Sequence, residues 1–196
     1  MSWFTWRSHP CPIHSTGWKK VSPRTWSLSR VLKQVSSGRK GYGPRCWGGM
    51  WHGEPEAFDR GLDRTHTWGR TYWGGALFCL VADVEIRRQT NNAYGLQDAL
   101  RAIVEAGGTI DKDWHLTRVL SEGDKATHTS VLEDLYSKWS ETPVRVDLPL
   151  LWNQLGVRQE NGHIVFDDAA PLSRVRMGIT APRTGPNPQG EKYDCL

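Results

Sequence analysis

Between Tyr72 and Val84 the apolar residues fall at spacings of three and four: Tyr72, Ala76, Leu77, Leu80, Val81 and Val84. That period is the signature of one helix face, and the run is apolar enough to predict a long, largely buried helix. Arg87 and Arg88 follow in its last turn, where cations favour the helix dipole. A helix of this kind needs other helices to cover it, and the downstream sequence supplies them.

Asn91-Asn92 predicts a turn. Leu96, Ala99, Leu100, Ile103 and Val104 then mark a second amphipathic helix, ended by Gly107-Gly108 and antiparallel to the first. A third helix is expected from Lys112 to Ser121, with Trp114 and Leu120 inward, Asp111 or Asp113 as cap, and Gly123-Asp124 as breaker. Ser130-Val131-Leu132-Glu133 has the capping-box form, and Val131, Leu132, Leu135, Tyr136 and Trp139 continue a fourth helix up to Thr142-Pro143. Asp147 is placed to cap a fifth, carrying Leu148, Leu151, Trp152 and Leu155 and closed by Gly156. Asn161-Gly162 and His163–Phe166 read as a turn and a short extended piece, after which Pro171 opens a terminal helix holding Leu172, Val175 and Ile179. The expected fold class is mainly α: a compact helical bundle with very little strand, over residues 51–180. A Pro-containing tail, 181–196, follows it.

The first fifty residues are of another character. They hold nine Lys or Arg, no Asp or Glu, and five tryptophans (Trp3, Trp6, Trp18, Trp26 and Trp47). Apart from a Leu28, Val31, Leu32, Val35 stripe at helical spacing they show no apolar period, and little offsets a backbone ordering cost of roughly 1–2 kcal/mol per residue. An irregular, disordered arm is the expectation for 1–50. The remaining residues carry 16 basic against 21 acidic groups, so the net charge of +4 averages a +9 arm and a −5 body. Such a split gives no argument for nucleic-acid binding by the body. The arm has the cations and rings to bind an anionic polymer or membrane surface, but no recognised RNA- or DNA-binding signature. A shifted reading frame or a wrongly chosen start is our hypothesis for its composition, tested by reading the surrounding DNA.

Cys11, Cys46, Cys79 and Cys195 form no Cys-x-x-Cys pair, which argues against a zinc knuckle or a disulfide framework, and Cys79 reads as a small core residue. No run approaches the ~20 apolar residues of a bilayer span. The basic N-terminus has no apolar run after it, so a secretory signal is not expected and a soluble, cytoplasmic protein is.

The stretch Tyr72-Trp73-Gly74-Gly75-Ala76-Leu77-Phe78, continued by Asp83-Val84-Glu85-Ile86-Arg87, resembles the glycyl aminopeptidases and their relatives among the gluzincin zinc peptidases. In that family a Tyr with Lys-Gly two and three residues later opens a buried helix ending in a Leu-Asp-x-x-Ile-Arg-like segment. Gly95–Arg101 matches the family's next helix, and the likeness continues through Asp147–Trp152 and Phe166–Leu172, about 110 of the 196 residues. The resemblance implies the distal, C-terminal helical half of a thermolysin-like peptidase domain. It also implies a role for Tyr72, since the matching family tyrosine donates to the oxyanion formed when zinc-bound water attacks a peptide carbonyl. One such preorganised donor is typically worth about 2.7–4 kcal/mol. Trp73, Gly74 and Gly75 would lie along the substrate; Gly74 stands where the family has its lysine.

The metal half is missing from the pattern. A peptidase of this class needs His-Glu-x-x-His, which puts two imidazoles on one helix face with a general-base Glu between them. None of His9, His14, His52, His66, His115, His128 and His163 has a histidine four residues on. His52-Gly53-Glu54-Pro55-Glu56 is the nearest cluster of ligand types, but Gly53 and Pro55 oppose a helix, and a solvated loop is expected. Cys11 and His14 alone are too few for a designed metal site. No cofactor is therefore expected in this chain, although the complete family domain holds zinc. The expected function is that of a truncated or degenerate aminopeptidase-like protein without peptidase activity of its own. The alternative is a non-enzymatic module that binds a peptide or protein through Trp68, Tyr72 and Trp73.

Overall fold

The computed structural model describes residues 49–109, 112–161 and 163–181. The basic arm before Gly49, with its Leu28–Val35 stripe, and the tail beyond Ala181 lie outside the described residues. Chain order is a 3-10 turn (Met50–Gly53), a π-helical turn (Arg70–Gly74), α1 (Gly75–Gln89), α2 (Leu96–Glu105), α3 (Leu116–Thr127), α4 (Val131–Trp139), α5 (Leu148–Leu155), the strands β1 (Val157–Glu160) and β2 (His163–Phe166), and α6 (Ser173–Thr180). The fold is mainly helical, as the apolar periodicity predicts.

Helix α1 is the centre of the bundle. Leu77, Leu80, Ala82 and Ile86 have no exposed surface, and Ala76, Phe78 and Val84 are nearly as deep. A helix buried on so many sides is covered by several neighbours: α1 packs against α2, α4, α6 and both irregular turns. Phe78 meets Trp139 of α4 edge-on with ring centroids 5.7 Å apart, the favourable aromatic geometry.

The α1–α2 junction is polar and buried. Arg87 Nε lies 3.0 Å from Asp83 Oδ1 one turn earlier, and both side chains are about 95% buried or more. The same Asp83 oxygen accepts the Leu96 amide at 2.9 Å, capping α2 from outside that helix. Arg87 Nη2 donates to Gln97 Oε1 at 2.8 Å. Burial pushes the Asp83 carboxyl upward, and the Arg87 guanidinium and the Leu96 amide pull against it. From the last turn of α1, Arg87 thus also holds the helix junction.

Two sequence expectations fail at α3. The helix begins at Leu116, not Lys112, with His115 as a cap that makes no side-chain bond, and it runs through Gly123-Asp124 to Thr127. Trp114 precedes the helix, half-buried, with the Arg118 guanidinium 3.7 Å from its ring centre. Gly123 does not break the helix because it serves packing: a Cβ there would sit 2.5 Å from Leu132 Cδ1 of α4. Left-handed His128 (φ 56°) ends the helix instead.

Asp124 takes over the cap expected of Ser130. Its two carboxylate oxygens accept the Leu132 and Glu133 amides, each at 2.9 Å. Ser130 makes no cap bond, its hydroxyl donating to Asp134 at 2.7 Å. By contrast Asp147 caps α5 as its position predicts, accepting the Leu150 amide at 2.9 Å, and left-handed Gly156 closes that helix.

The extended piece after α5 is one arm of a hairpin. Val157 pairs with Phe166 and Glu160 with His163, antiparallel, and Asn161 takes the positive φ (51°) that a two-residue hairpin turn demands. The buried Arg176 of α6 holds the hairpin's base, donating through Nη1 to the carbonyls of Leu155, Gly156 and Asp167 at 3.0–3.2 Å.

The Asp83–Arg87 pair should be costly to break and cheap to replace whole. Asp83→Ala leaves a buried guanidinium without its carboxylate and the Leu96 amide without its acceptor, and is expected to lose about 3–5 kcal/mol in urea unfolding. Asp83→Leu combined with Arg87→Met should lose distinctly less.

Candidate functional site

The helix that becomes α1 starts at Trp68 and opens into a wide π turn over Arg70–Gly74 before tightening at Gly75. Such turns are uncommon and often coincide with functional positions. Tyr72, Trp73 and Gly74 all lie in it, and Gly75 is the first residue of α1.

These four residues do not share one surface. Tyr72 is half-buried beside exposed Trp68, ring centroids 5.8 Å apart, and the His52 ring stands at a T-shaped angle to Trp68 with centroids 6.5 Å apart. Trp73 lies under the 3-10 turn: a Cβ on Gly49 would be 2.0 Å from its indole, and one on Gly53 would be 2.4 Å from its carbonyl oxygen. The indole Nε1 is buried without a hydrogen-bond partner. Gly74 and Gly75 are buried, whereas Tyr72 and Trp73 are half-buried. A Cβ on Gly74 would come to 3.0 Å from Leu62 and 3.2 Å from the Arg70 side chain. The space beside Gly74 is thus occupied by these two side chains.

Arg70, which sequence reasoning passed over, organises the turn. Its side chain is 2% exposed; Nε lies 2.6 Å from Asp59 Oδ2, whose side chain is 1% exposed. The contact is ionic, not a well-aligned hydrogen bond, and Nη2 faces no acceptor. Nη1 donates to the Gly53 carbonyl at 2.6 Å.

The His52–Glu56 segment is accordingly no solvated loop. Gly53, Glu54 and Pro55 are buried, and Met50, on the arm's side of the expected boundary, is 2% exposed in the core. Glu54 accepts the Val146 amide, 3.2 Å from each carboxylate oxygen, and Arg145 Nη2 donates to the Pro55 carbonyl at 3.2 Å. Burial raises the Glu54 pKa, opposed by the Val146 amide and by the Arg145 and Arg70 guanidiniums. These ties link residues 17 to 92 positions apart, a separation at which no local pattern reports the pairing.

Three aromatic rings near this turn in sequence face water: Trp51 at 49%, Phe58 at 93% and Trp68 at 56% exposure. Among the described residues no group of three or more His, Cys, Asp or Glu is placed to hold a metal ion, and no helix is long and apolar enough to cross a membrane. Comparisons with protein-family models, with curated proteins and with solved structures find no match.

A raised carboxylate pKa means the folded state binds the proton more tightly than the unfolded chain. The stability linked to Glu54 is therefore full below its ordinary value of 4.5 and is lost as pH rises through the folded pKa. Glu54→Gln keeps an acceptor for Val146 without the buried charge. It should raise the melting temperature at pH 7 and flatten the fall in melting temperature between pH 4.5 and 7.

Proposed function

We propose that this chain is the distal helical half of a glycyl-aminopeptidase-type gluzincin domain and that it releases no amino-terminal residue unless another polypeptide supplies the zinc-binding half. The observation that carries the reading is the coincidence of the resembling segments with the framework of the bundle. Tyr72 sits on the π turn at the head of the central helix, Asp83 and Arg87 form its buried pair, and Gly95–Arg101 begins the helix that Asp83 caps. Beside this stands the absence of His-Glu-x-x-His from the full sequence.

In this reading Tyr72 is the oxyanion donor by resemblance. A phenol at that place stabilises developing negative charge on a carbonyl oxygen only where a nucleophile has already been activated. With no zinc ligand set in the sequence, Tyr72 has no activated nucleophile to serve. Gly74 supplies no cation to assist it.

A second reading is favoured by the exposed rings. Trp68, in ring contact with Tyr72 and His52, presents more than half its surface to solvent, and exposed aromatics are the usual anchors of peptide-binding faces. On this reading the chain is a non-enzymatic module that takes a peptide on the Trp68–Tyr72 face.

Metal analysis of purified protein, paired with release of amino-terminal Gly or Ala from a chromogenic substrate, tests the first reading. The expected result is neither stoichiometric zinc nor turnover; zinc with turnover that disappears in Tyr72→Phe would overturn it. Titration with peptide pools tests the second. Binding tighter than millimolar, weakened about tenfold or more by Trp68→Ala, is expected, and the absence of any such binder rejects it.

A further inference from the structure

Residues 49–60 cross the π turn in an unusual way for a segment packed on a core. Met50 is the one large apolar side chain they bury, while Trp51 and Phe58 face water. What fastens the segment is polar: Arg70 to the Gly53 carbonyl and to Asp59, Glu54 to the Val146 amide, and Arg145 to the Pro55 carbonyl. Its close approach depends on absent side chains, because Cβ atoms on Gly49, Gly53 and Gly69 would meet the Trp73 indole, the Trp73 carbonyl and the His52 carbonyl at 2.0, 2.4 and 2.7 Å. Beneath it the fit is incomplete, for Trp73 Nε1 and Arg70 Nη2 find no hydrogen-bond partner.

A segment with few buried apolar contacts and unsatisfied polar groups at its base belongs to the low-stability end of a structure. Helix α1 beneath it belongs to the other end. The geometry points to a strap: residues 49–60 lift from the π turn as a unit while the helices stay folded, and the lifting uncovers the indole and carbonyl of Trp73 next to Tyr72. Closed, the strap covers one of the two aromatic residues of the turn. Open, it turns a face built on Trp68 and Tyr72 into one that includes Trp73 and two freed donors, Trp73 Nε1 and Arg70 Nη2. The strap itself follows from the contacts above; its use as a gate on peptide access rests on the peptide-binding reading.

Native-state amide exchange on the full chain reads the opening directly, because the Val146 amide, outside the strap, is tied to the Glu54 carboxylate within it. That amide is expected to exchange with a protection factor about tenfold or more below that of Leu80 in α1. Arg145 is exposed, so Arg145→Ala removes one tie at little risk to folding, and it should speed exchange at Val146 by about 2- to 10-fold with Leu80 unchanged. Protection of Val146 equal to that of Leu80, or no response to Arg145→Ala, would overturn the strap. Peptide titration of the same variant separates the two claims: correct exchange behaviour with no peptide bound leaves the strap standing and removes the gate.

Discussion

A carboxylate with almost no access to water, Asp83, holds two helices in register by answering two donors at once, the Arg87 guanidinium and the Leu96 amide. The cost of burying that charge is tolerable only while both donors are present. This fixes where α2 begins relative to the last turn of α1. The left-handed Asn91 and Asn92 (φ 50° and 65°) make the intervening turn tight enough for the contact to form. Gly95 and Gly178 leave room for the guanidinium, since a Cβ at either would come within 3 Å of it, so α6 closes over the same group. The bundle's apolar core is extensive, but apolar contacts are not directional. The buried pair supplies the direction.

The molecule is uneven about this centre. Downstream of α1, each helix is capped, closed or tied by a nearby group: Asp124 for α4, Asp147 and Gly156 for α5, and the Arg176 carbonyl cradle for the hairpin and α6. Upstream, residues 49–74 depend on a buried arginine whose partners are two carbonyl or carboxylate oxygens and whose Nη2 has none. Exposed aromatic rings collect on this side as well. The candidate site thus lies at the less fastened end of a firmly packed helix, a usual place for groups that bind or move.

Most of the helical fold was legible in the sequence because its signals are local. The 3.6-residue period gave α1, α2, α4 and α5, and the Asp147 cap and Gly156 stop each act within one helical turn. Errors arose where a residue acts across elements. Gly123 reads as a breaker unless Leu132 of α4 is known to fill its place, and Ser130 reads as a cap unless Asp124, six residues earlier, is known to reach the amides. The candidate site was legible to a smaller extent. Tyr72 and Trp73 stand out by motif, whereas Arg70, Asp59 and Glu54 carry no signal of their burial, which is set by contacts up to 92 residues away. The His52–Glu56 segment was misread for the same reason.

The glycines around the π turn bear on how this region would look in a mutational scan or across descendants of the gene. Gly49, Gly53 and Gly69 each stand against a backbone carbonyl or an indole with no room for a methyl group. Substitution at any of them would be rejected as firmly as at a residue that touches a ligand, on steric grounds alone. Intolerance at these positions would therefore report the thickness of the backbone layer over Trp73, and tolerance at Tyr72 or Trp68 is the more informative quantity. A family history read only from invariant glycines would record the architecture of the turn and leave its use unwritten.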